Sequence, residues 1–163
     1  LKAHYLVNLP KVKTHTGTVI SIAMKNMFGT IATRQKTQFH PQLADTLVYL
    51  NKALPQDLIV VDGITAMEGL GPIRGSPVNL GLIIAGKNPV TVDAACSHII
   101  GFNPYAVEAL WKAHQQGMGE IDPQKIKFTG EPLQNVKTKL SLPQISKQNI
   151  IEALRAEYRI RFH

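Results

Sequence analysis

The sequence predicts an α/β fold, layered, with a largely parallel or mixed sheet flanked by helices. Three observations carry that expectation. The apolar runs LIVV at 58–61 and LGLIIA at 80–85 read as strands buried on both faces. Asn-Pro pairs at 88–89 and 103–104 are helix starts, with asparagine as cap and proline as first helical residue. Strand and helix patterns alternate along the chain, the order expected of layered α/β domains.

Residues 4–9, HYLVNL, carry the aromatic and β-branched content of a short strand, ended by Pro10. Residues 18–27 place Val19, Ile22, Ala23 and Met27 at helical spacing, with Gly29 as the stop. Residues 30–40 are polar and unpatterned, hence a loop. Residues 41–54 form an amphipathic helix, with Leu43, Leu47, Leu50 and Leu54 on one face and Pro55 beyond it. A strand covers 57–62, a Gly- and Pro-rich loop 63–78, and a second strand 80–85. The helix from Asn88 runs to about Ile100 and stops at Gly101. The next, from Asn103, carries Val107, Leu110, Trp111 and His114 and closes at Gly117. Residues 125–128 read as a short strand. Ser146 or Asn149 opens a last helix with Ile150, Ile151, Leu154 and Tyr158. The 163 residues contain no linker or internal repeat and read as one domain, a fragment of a longer chain.

Composition excludes several classes. With 44% hydrophobic and 18% charged residues the chain is globular, not disordered. The longest uncharged apolar stretch, 80–86, is far too short to cross a bilayer, and a cytoplasmic location is expected. The net charge of +7 suits an acidic partner or an anionic ligand. The basic residues are scattered without a stripe or interleaved aromatics, which disfavours nucleic acid. One cysteine, Cys96, rules out an intrachain disulfide or a multi-cysteine cluster within this fragment, and its apolar neighbours make it a core residue. His4, His40, His114 and His163 show no zinc spacing.

The chemistry concentrates in segments that follow strands, where ligands of such folds usually sit. In NLPKVKTHTGTVISIAMKNMFG, residues 8–29, Lys11, Lys13 and His15 precede Gly17-Thr18 at the start of the expected helix. A helix start offers free N–H groups and partial positive charge to an anion. Gly17 lets the backbone approach, Thr18 caps or donates, Lys13 adds charge, and His15 adds a titratable donor. Lys25 and Asn26 lie near the end of that helix. Lys25 falls about 10 Å from Thr18, so a single ligand touching both would be longer than a phosphate. The second segment is DGITAMEGLGPIRG at 62–75. Asp62 and Glu68 suit a divalent cation or a general base, and Arg74 a carboxylate or phosphate.

Three strings, NLPKVKTHTGTVISIAMKNMFG, VDGITAMEGLGPIRGSP and LIIAGKNPVTVDAACSHIIGFNP, resemble the domain of unknown function 362 family over about residues 5–120. The resemblance implies one pocket joining Lys11, Lys13, His15, Lys25, Asn26, Asp62, Glu68 and Arg74. It also implies an association with iron–sulfur proteins, because members resemble proteins with a cysteine-rich, ferredoxin-like segment. This chain lacks those cysteines, so a cluster would lie outside the fragment. The expected function is part of an enzyme that binds an anionic small molecule, with redox chemistry supplied by a ferredoxin-like domain or protein. His15, Asp62 and Glu68 are its catalytic candidates. The alternative is a non-catalytic basic module that docks an acidic protein or nucleic acid.

Overall fold

The computed structural model describes residues 4–142, and the final helix expected from Ser146 or Asn149 lies outside them. Five strands form one mixed sheet. They are β1 (Val7–Asn8), β2 (Lys11–His15), β3 (Val19–Ser21), β4 (Leu58–Leu70) and β5 (Arg74–Gly86). β1 and β2 run end to end along one side of β4, both parallel to it. β3 lies antiparallel on the outside of β2, and β5 antiparallel on the other side of β4. The break between β1 and β2 falls at Leu9-Pro10, because proline has no N–H for the ladder. The helices are α1 (Ala23–Asn26), α2 (Leu43–Ala53), α3 (Pro89–Ile99), α4 (Glu108–Gln115) and α5 (Leu133–Val136). This is the α/β fold with a mixed sheet that the sequence predicts.

The core lies between the helices and one face of the sheet, where Val12, Ile59, Val61, Leu47, Val90 and Leu110 are buried. The strands are not buried on both faces. Along β5 exposed and half-buried residues alternate, and Ile83 is 58% exposed. An apolar run gives strand character, but a second covering layer depends on what packs there.

The helix caps follow the sequence. Asn88 Oδ1 accepts the Thr91 N–H at 2.9 Å at the start of α3, and Gly101 ends it with φ +79°. Asn103 caps a short 3-10 turn before α4, and Gly117 closes α4 with φ +70°.

Further expectations are corrected. Residues 18–27 are not one helix. β2 and β3 form a hairpin around Gly17-Thr18, and only α1 and a 3-10 turn (Met27–Thr30) are helical. Ile20 favours strand through its branched Cβ atom, whereas Val19 sits in the turn's left-handed backbone with φ +66°, and Thr18 Oγ1 donates to Ile20 O at 2.7 Å. Residues 63–78 are not a loop, since β4 and β5 continue as a long hairpin turning at 71–73. Gly71 and Gly75 mark close approach of neighbouring chain segments. A Cβ on Gly75 would stand 2.4 Å from Met67 Cγ, and one on Gly71 would stand 2.1 Å from Thr14 O. Gly71→Ala is therefore expected to lower stability by about 1–3 kcal/mol in a denaturant melt, because the neighbour is backbone and cannot give way. Residues 125–128 pair with no strand among the described residues. The polar stretch before α2 also holds a 3-10 helix, Lys36–Gln42.

Candidate functional site

Alternation along β2 sets the site. Val12 and Thr14 are buried, whereas Lys11, Lys13 and His15 share the other face. The hairpin then folds back so that α1 delivers Lys25 to the same cluster. Lys25 is half-buried, with its Nζ 4.3 Å from the centre of the Phe28 ring. Burial pushes the Lys25 ammonium below its usual range, and the charges of Lys13 and Lys36 push it further. Burial lowers His15 to about 4, reinforced by Lys25, His40 and Lys13. Every charged neighbour that shifts these two groups is a cation. No carboxylate pairs with Lys13 or Lys25 among the described residues.

The tautomer of His15 follows from one hydrogen bond. The Gly17 N–H donates to Nδ1 at 3.0 Å, so in the neutral ring the proton sits on Nε2, which is left as a donor. Gly17 and Thr18 thus contribute through a hairpin turn, not through a helix start. Thr18 and Lys25 are not two turns apart on one helix, so that spacing does not require a ligand longer than a phosphate. Lys13, His15 and Lys25 lie within electrostatic reach of one another.

The other candidates have different partners. Lys11 Nζ lies 2.6 Å from Asp62 Oδ2 and donates to Thr65 O at 2.8 Å. The Lys11 hydrogen bond, joined by the Ile64 N–H, holds the exposed Asp62 carboxyl below its ordinary value. Met67 is the register partner of Lys13, so alternation sends Glu68 to the opposite face, where it accepts the Ser141 N–H at 2.7 Å. Arg74 is exposed at the tip of the β4–β5 hairpin. Asn26 Nδ2 donates to Asn8 Oδ1 at 2.7 Å and so belongs to the scaffold beneath the cluster. Asp62 and Glu68 do not come together. Among the described residues no three His, Cys, Asp or Glu side chains are grouped to hold a metal ion.

Residues outside the expected site build its frame. Asp93 on α3 is fully buried, and its two oxygens accept the Ala23 and Met24 N–H groups at 2.7 and 3.0 Å. The residue before α1, Ile22, has no side chain able to cap, so this distant carboxylate does it. Asn8 Nδ2 donates to Ala23 O and to Gln56 Oε1, and Asn51 Nδ2 donates to Met24 O, fixing the same helix from below. Lys36 and His40 join the cluster from a stretch whose sequence reads as plain loop. The one available sequence signal for the frame is polarity out of place: Asn8 at the end of an apolar strand and Asp93 inside an apolar helix.

The family described as Domain of unknown function (DUF362) matches residues 1–98. The chain is 28% identical over 155 residues to Thylakoid-associated protein sll1697 of Synechocystis sp., covering 89% of this chain and 47% of that protein. It therefore spans about half the length of that relative. No solved structure matches the chain. Among the described residues no helix is long and apolar enough to cross a membrane.

Proposed function

The chain belongs to the DUF362 family, and from that premise we propose that it supplies the anion-holding part of an enzyme site for a small anionic molecule. The observation that carries the reading is that Lys13 and Lys25, both half-buried beside His15, have no carboxylate partner among the described residues. Burying like charges together costs free energy, and an anion in their midst offsets that cost. Lys13 and Lys25 supply charge, and the His15 Nε2–H supplies a neutral hydrogen bond that orients the anion. The iron–sulfur chemistry implied by the resemblance does not fit this chain's own residues. A cluster needs several thiolates, whereas the one cysteine, Cys96, is fully buried and burial pushes its thiol up.

Sulfate tests the site, because it keeps its charge between pH 4 and 8. Titration calorimetry is expected to show binding that tightens as pH falls. The bound anion raises the His15 pKa above its free value of about 4, so a proton is taken up between the two values. His15→Gln keeps a donor and should lose that pH dependence. A half-buried site loses affinity only gradually with salt, whereas a non-catalytic surface that docks acidic partners loses it steeply. Wild-type protein that fails to bind sulfate, pyrophosphate or a dicarboxylate at 50 mM salt would remove the proposal.

A further inference from the structure

The outer edge of β5 borders a groove of about 450 Å³. One bank is formed by residues 82–87 in unbroken succession, which places the groove along the strand's edge and not on one face of it. The other bank is residues 126–129. The floor is apolar, from Val92, Ala95 and Ile99 of α3 and Leu133 and Val136 of α5. Both banks carry unpaired backbone. Among the described residues β5 pairs only with β4, and residues 127–129 make no backbone hydrogen bond. Residues 125–128 have a strand-forming sequence, KIKF, yet lie in no sheet.

We propose that this groove is a strand-acceptor slot, filled by an extended segment of an acidic partner polypeptide. The inserted strand pairs with β5 on one side and residues 127–129 on the other. Its alternate apolar side chains rest on α3 and α5. This is recognition by strand addition, with main-chain hydrogen bonds for affinity and the apolar floor for register. The acidic character follows from charge. Exposed Lys87 and Lys127 stand one on each bank, against the single carboxylate of Glu131, and a chain with net charge +7 repels its own copy.

The test uses the full 163-residue chain and a ten-residue peptide of alternating valine and glutamate. Its control has the same composition with the valines grouped at one end. Amide exchange followed by NMR is expected to slow at least tenfold within both 82–87 and 127–129 with the alternating peptide alone. The exposed pair Lys87→Glu and Lys127→Glu should weaken that peptide at least tenfold and strengthen one of alternating valine and lysine. Protection on a single bank, equal binding of the control, or no protection would overturn the proposal. So would a free chain already protected on both banks, because its own residues 143–163 or a second copy would then hold the slot.

Discussion

Replacing Asp93 by alanine is expected to lower stability by about 3 kcal/mol and to release α1 from its place beneath the cation cluster. The substitution removes two charge-assisted hydrogen bonds and leaves the Ala23 and Met24 N–H groups buried without acceptors. Asp93→Asn keeps the shape and one acceptor and should cost less, but it changes the response to pH. Burial raises Asp93 to about 7 from 3.8, partly countered by the two N–H groups. A carboxyl whose folded pKa is raised adds stability that is complete below about pH 4 and lost as pH climbs through 7. His15 has the opposite sign, since its folded pKa is about 4 against 6.5. Its contribution is complete above pH 6.5 and lost as pH falls through 4. The two slopes therefore oppose each other between pH 4 and 6.5. Urea melts across that window should show stability rising with pH for Asp93→Asn and falling with pH for His15→Gln, with the wild type flatter than either. Parallel curves for Asp93→Asn and wild type would mean that Asp93 does not titrate there.

The second large effect is expected from Lys25→Met, which trades binding for stability. Methionine keeps the packing against Phe28 and removes a half-buried charge from beside Lys13 and His15. Three changes should follow. The NMR titration of the His15 ring should move up from about 4 towards 6.5, because the Lys25 charge is among the forces that depress it. The melting temperature should stay level or rise, the usual result when a strained functional group is replaced by an apolar one. Sulfate affinity should fall about 10–100-fold, the equivalent of one charge-assisted hydrogen bond. A variant that binds sulfate as tightly as wild type would take Lys25 out of the site.

Much of the fold was legible because its signals are local. Asn88-Pro89 and Gly101 bracket α3 through capping chemistry that involves only neighbouring residues, and α2 follows from its leucine spacing. The 63–78 hairpin is hidden in the sequence because glycine has two uses. It loosens a chain in solvent and also lets two backbones meet, and only the partner, Thr14 O or Met67, decides between them. In residues 18–27 helical spacing and branched strand-formers overlap within ten residues, so the local pattern does not separate strand from helix. At the site, Lys13, His15 and Lys25 were named from the sequence and are gathered by the fold. Asp62 and Glu68 looked alike as carboxylates after a strand, yet pairing register gave one to Lys11 and sent the other to the far face.

By itself the sequence determined the α/β class, the capped helices, the lone core cysteine and the density of basic residues between 11 and 25, since composition, caps and periodicity act over one or two turns of chain. Tertiary structure alone decided that a turn and not a helix start presents them, that Asp93 holds α1 from seventy residues away, and that among the described residues β5 pairs on one edge only. Those facts depend on register and on which surfaces meet, and such long-range contacts leave no periodic trace in a single sequence.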